Sequence, residues 1–90
     1  VEHRRHLHAN PELSFHEYNT SKFVAEQLKS FGLSPQSMAN TGVVAIVEGR
    51  NPTSRVVALR ADMDALPILE ANDVPYKSQS VGVMHACGHD

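Results

Sequence analysis

The feature that most constrains this chain is a pair of short apolar, β-branched runs separated by a turn signal. Gly42-Val43-Val44-Ala45-Ile46-Val47 is continuously apolar, Gly49-Arg50-Asn51-Pro52 reads as a turn, and Arg55 to Ala61 carries Val56-Val57-Ala58-Leu59 at its centre. Runs without polar alternation suit strands covered on both faces, which points to a sheet flanked by helices rather than to one half-exposed sheet. A weaker strand is expected within Leu33 to Met38.

Helices are expected ahead of these strands. Glu2 to Ala9 is polar and helix-compatible, and Asn10-Pro11 ends it, because a residue before proline avoids the helical region. Ser14 and Glu17 have the spacing of a capping box, and Val24, Leu28 and Phe31 make one apolar stripe with Ala25 beside it. Gly32 stands where a left-handed residue closes a helix, so the second helix is predicted over 15–31. Beyond Asp64, Pro67 and Pro75 limit regular structure. The order of helix, strand, strand and loop indicates an α/β or α+β layered domain.

Composition excludes several classes. With 90 residues the chain is at most one small domain, and 41% hydrophobic with 20% charged residues is ordinary globular composition. Eight basic against ten acidic residues argue against nucleic-acid or anionic-membrane binding, which calls for a basic excess. The single cysteine cannot form an internal disulfide, and the longest apolar run, Val43 to Val47, is too short to span a bilayer. The chain opens on Val1 without an initiator Met and stops at Asp90 inside its densest group of metal-ligand residues. It is therefore expected to be the N-terminal piece of something larger.

Two segments could carry chemistry. In Arg60-Ala61-Asp62-Met63-Asp64-Ala65 the charged residues alternate with apolar ones, at the carboxyl end of an expected strand, where ligands of open α/β sheets usually bind. Either these carboxylates bind or orient a metal, or Arg60 pairs with one Asp while the other caps a turn. In Met84-His85-Ala86-Cys87-Gly88-His89-Asp90, the residues His85, Cys87 and His89 also alternate. Adjacent members lie about 6.8 Å apart at Cα on an extended chain, close enough to share an ion if the backbone bends. Gly88 permits that bend. Sulfur and imidazole suit a borderline ion such as Zn²⁺ without excluding Mn²⁺, and Asp90 could hold the second nitrogen of a ligating His. The competing reading is an inert Cys flanked by surface histidines. His3, His6, His8 and His16 read as structural: His6 and His8 would stand about 200° apart on a helix and could not chelate together, whereas His3 and His6 could at i, i+3 but are expected to form a solvated face beside Arg4 and Arg5. A thiol nucleophile at Cys87 is a further alternative, but its base would normally be distant in sequence and held by a third group.

The segments Arg4-Arg5-His6-Leu7-His8, Asn10-Pro11-Glu12-Leu13, Thr41-Gly42-Val43-Val44-Ala45, Arg60-Ala61-Asp62-Met63-Asp64-Ala65-Leu66-Pro67 and Gly82-Val83-Met84-His85-Ala86-Cys87-Gly88-His89-Asp90 resemble, in this order, the amidohydrolase branch of the M20 metallopeptidases. That branch includes hippurate hydrolases, N-acyl-amino-acid amidohydrolases and auxin-conjugate hydrolases. The resemblance implies that residues 1–90 are part of an α/β catalytic domain with a central, helix-flanked mixed sheet, the lid or dimerisation domain being absent. It implies a divalent site, Mn or Zn and often two ions, with Cys87 and His89 as ligands. A Glu, two His and the general base are expected beyond Asp90. In other branches a ligating His stands where this chain has Asp62, whereas Asp64 matches the supporting carboxylate and is the expected catalytic-orienting residue. The implied substrate is a small N-acyl amino acid; a homodimer is implied for full-length members, and a cytoplasmic location if the source is bacterial. The alternative for the 90 residues alone is a noncatalytic piece lacking the remaining ligands and base.

Overall fold

The computed structural model describes residues 1–89, so the expectation for Asp90 lies outside the described residues. Four elements follow one another: α1 (Glu2–Ala9), α2 (Tyr18–Ser30), β1 (Gln36–Met38) and β2 (Gly42–Val44). The result is an α/β arrangement of two helices and a small antiparallel sheet, in which α2 packs against β2.

Helix α1 ends where the sequence says it must. Asn10, ahead of Pro11, leaves the helical region, and both its backbone N–H and its side-chain amide donate to the carbonyl of His6. The end of α2 is as legible. Gly32 adopts φ +83°, its N–H donates to the carbonyl of Lys29, and the Leu33 N–H reaches back to Leu28. Those two bonds make a Schellman closure, satisfying carbonyls that the last turn leaves open.

The start of α2 differs from expectation. The helix begins at Tyr18 rather than near residue 15, and the Ser14–Glu17 capping box does not form. The open amides are taken instead by Glu12, from the loop before the helix. Its Oε1 accepts the Thr20 N–H at 2.5 Å and the Thr20 hydroxyl at 2.6 Å, while Oε2 accepts the Asn19 N–H at 3.2 Å. A carboxylate at this end also meets the positive pole of the helix. Glu17 is engaged elsewhere, its Oε1 accepting the N–H of Phe15, which is held at φ +63°.

The strands depart further. The weak strand in 33–38 exists as β1, and it pairs with β2 in the register Gln36↔Val44, Ser37↔Val43, Met38↔Gly42. The stronger run reaches only Val44 as strand, not Val47. Arg55 to Ala61 forms no strand, and Val56 and Leu59 are 93% and 97% exposed. A strand is held by its hydrogen-bonded neighbour, and among the described residues none lies beside this segment. Its β propensity therefore goes unused.

What is buried is mostly polar. Ala65, 3% exposed, and Pro11 are the buried apolar residues among those described, alongside His8, Glu17, Thr20, Thr41 and Glu70. Hydrogen bonds, rather than a large apolar core, fix how the segments meet.

Candidate metal centre

Main-chain bonds bring the two sequence-predicted segments together. Ala65 donates its N–H to the carbonyl of Glu12 at 2.8 Å, forming a parallel bridge with Leu13. One residue on, Leu66 and Met84 exchange both backbone hydrogen bonds, at 2.9 and 3.0 Å. Asp64 sits just before the first anchor, and His85, Cys87 and His89 follow just after the second. They line one cleft of about 520 Å³, together with Arg60 and Asp62.

Within that cleft the residues differ in setting. Asp64 is half-buried, whereas Cys87 and His89 are exposed. Gly88, at φ +54°, turns the chain between Cys87 and His89, and the His89 N–H donates to the Cys87 carbonyl. That is the bend which the glycine was expected to allow. Asp62, which also lines the cleft, is engaged by a neighbour: its Oδ1 accepts from the Arg60 guanidinium at 2.8 Å in an exposed pair. The plain structural reading of Arg60 thus holds for Asp62, and the alternation expected of a strand is not what places Asp64.

A thiol, an imidazole and a carboxylate around one opening form a donor set suited to a borderline divalent ion. It is a partial set. Among the described residues no three His, Cys, Asp or Glu side chains converge closely enough to enclose a metal by themselves.

A second opening, which shares His85 with the cleft, is lined by a buried pair that sequence reasoning missed. His8 and Glu70 are 6% and 4% exposed, with His8 Nε2 2.6 Å from Glu70 Oε1. A carboxylate only accepts, so Nε2 carries the shared proton. The other Glu70 oxygen accepts the Ser78 N–H at 2.5 Å. The Ser78 N–H and the His8 contact hold the Glu70 carboxyl below the ordinary carboxylate range. Burial raises the Glu12 carboxyl, but bonds from Thr20 and Asn19 outweigh it and bring it below that range. The signal for His8 was helical phase: it stands well round α1 from His3 and His6, whose rings lie against Phe23, His6 stacking at 4.1 Å. His8 instead meets Tyr76 edge to face.

Residues 58–90 match the model of peptidase family M20/M25/M40. All 90 residues align with the uncharacterized hydrolase SAB1253 of Staphylococcus aureus (strain bovine RF122 / ET3-1) at 55% identity, and with the uncharacterized hydrolase SH1513 of Staphylococcus haemolyticus at 51%. In each case the chain spans 23% of the relative's length. The Bacillus subtilis YxeP protein, described as a dinuclear metal binding peptidase from the M20 family, superposes with a TM-score of 0.90 at 43% identity. The match covers 98% of this chain and 25% of that one. Residues 58–90 thus match the family model, and the whole chain is similar in sequence and fold to about a quarter of the length of these relatives.

Proposed function

We propose that this chain serves a metal-dependent amidohydrolase that cleaves the amide bond of N-acyl amino acids. Cys87 and His89 hold a divalent ion, Mn²⁺ or Zn²⁺, in a site that takes one or two ions. Asp64, which lines the same cleft, orients that centre. Asp62 is engaged by Arg60 and is a weaker candidate for a ligand.

A bound divalent ion supplies a nucleophile at neutral pH by acidifying its water, and it polarises the scissile carbonyl. The chain's own residues determine where that happens. The Gly88 turn stands between Cys87 and His89, both of which line the cleft, and the neighbour of Asp64, Ala65, is anchored to Glu12. The observation that carries the reading is the two-way hydrogen bonding of Leu66 with Met84, which joins the carboxylate segment to the sulfur–imidazole segment at one cleft. The hydrolase relatives and the dinuclear metal-binding description of YxeP support it.

The test is chelation of the intact protein followed by return of Mn²⁺ or Zn²⁺, with N-acyl amino acids as substrates. Loss and recovery of hydrolysis support the reading, and a Cys87→Ala/His89→Ala variant should do neither. Hydrolysis indifferent to chelator would favour Cys87 as a nucleophile instead.

For the 90 residues in isolation a second reading is favoured by the incomplete donor set. A sulfur and an imidazole leave a tetrahedral ion half-coordinated, so the isolated chain binds metal weakly and is inactive. Measurable turnover by the pure 90-residue chain would overturn this.

A further inference from the structure

The hydrogen bonds of Glu70 do not stop at His8. Ser78, which gives its N–H to Glu70, also donates its hydroxyl to the carbonyl of Val83 at 2.6 Å, with Ser80 O a longer alternative at 3.1 Å. Val83 precedes Met84, the residue locked to Leu66, and the Cys87–Gly88–His89 turn comes three residues later. A parallel tie runs from the Gln79 N–H to the carbonyl of Ala9, at the end of α1. Helix α1, the 70–80 loop and the approach to the turn are thus joined by one continuous set of bonds.

We propose that Glu70 and Ser78 are positioning residues for the metal centre: anchored on His8, they set the course of Val83–Met84 and so the placement of Cys87 and His89. The physical basis is the cost of leaving Glu70 unsatisfied. A carboxylate this buried must keep its donors, so His8 and the Ser78 N–H fix it, and it fixes Ser78 in turn. The Ser78 hydroxyl then restrains the carbonyl of Val83, one residue before the Leu66–Met84 pair. With both restraints, Met84 has one register; with only the Leu66 pair, the segment leading to the turn gains freedom. Metal ligands need their geometry held by surrounding bonds, and loosening such supports typically weakens metal binding by about 10- to 100-fold.

The inference rests on the proposed role of Cys87 and His89, and its test separates the two. Affinity of the intact protein for Mn²⁺ and Zn²⁺ is measured by competition with a chromophoric chelator, beside thermal melts of the metal-free form. Ser78→Ala removes only the hydroxyl and keeps the N–H bond to Glu70. Its affinity should fall about tenfold at a temperature where the metal-free variant is fully folded. Ser78→Thr, which retains the hydroxyl, should restore it, and Glu70→Gln should weaken binding as well. A wild type that binds metal and a folded Ser78→Ala variant that binds equally well overturn the inference alone. A wild type that binds neither ion overturns the metal-site reading and this inference with it.

Discussion

Leu66 and Met84 face each other across an antiparallel bridge, each donating its N–H to the other's carbonyl. Because Asp64 and Cys87 flank this bridge, its register determines whether carboxylate and thiol meet. Proline at position 84 removes one of the two bonds. Met84→Pro is therefore expected to reduce metal uptake far more than a volume-conserving Met84→Leu, which keeps the backbone intact. Chelator competition on the two variants checks this, and equal affinities would contradict it.

Glu12 is expected to be the capping residue of α2. Glu12→Ala leaves the amides of Asn19 and Thr20 open and should cost about 1 kcal/mol, the usual loss for a helix N-cap. Ser14→Ala should cost little, since no side-chain bond of Ser14 caps the helix. Urea unfolding of both variants measures the difference. A larger loss at Ser14 would reinstate the capping box.

Acid sensitivity follows from Glu12, Glu17 and Glu70, whose carboxyls all lie below their ordinary value of 4.5. A carboxyl with a lower pKa folded than unfolded contributes fully above the unfolded value, and its contribution is lost as pH falls through the folded value. Stability should thus be level with respect to these groups near neutrality and decline as pH drops below about 4.5. Glu12→Gln should make that decline shallower. The check is the urea midpoint followed against pH; an unchanged slope would mean that Glu12 is not held low.

Two glycines should respond differently to alanine. At Gly32 an added Cβ meets nothing within 4 Å, so the penalty is only the left-handed backbone, about 1–2 kcal/mol. At Gly42 the Cβ would stand 2.7 Å from the backbone carbonyl oxygen of Met38, its partner across the hairpin. Backbone cannot swing aside as a side chain can, so Gly42→Ala should pull β1 from β2 and destabilise more. Denaturation midpoints of the two variants rank them, and the reverse order would refute the argument.

What the sequence made legible was what neighbouring residues decide. Asn10-Pro11 and Gly32 end helices through their own backbone preferences, and Gly88 turns the chain for the same reason. What it hid depended on distant partners. The Ser14–Glu17 spacing was sound locally, but the helix starts only at Tyr18, and its open amides at Asn19 and Thr20 are taken by Glu12. The run 55–61 had strand composition, but no described neighbour supplies its ladder. His8 looked like one of a polar helix's histidines until Glu70, far along the chain, closed on it. The candidate site was half legible: both segments stood out, but not the bridge that joins them.

The two aspartates offer the sharpest test of the site. Asp62 and Asp64 are alike in type and sit two positions apart, yet Asp62 is exposed and paired with Arg60 while Asp64 is half-buried in front of the Ala65 anchor. An exposed pair of that kind contributes about 0–1 kcal/mol, so Asp62→Asn should leave stability nearly unchanged and hydrolysis close to wild type. Asp64→Asn keeps size but removes the charge that would orient the metal centre, and a loss of about 10- to 100-fold in metal affinity or activity is expected. Comparing kcat/KM and metal affinity of the two Asn variants in the intact protein decides the matter. If Asp62→Asn proves the more damaging, Asp62 rather than Asp64 orients the metal, and its bond to Arg60 becomes part of the site rather than a surface contact.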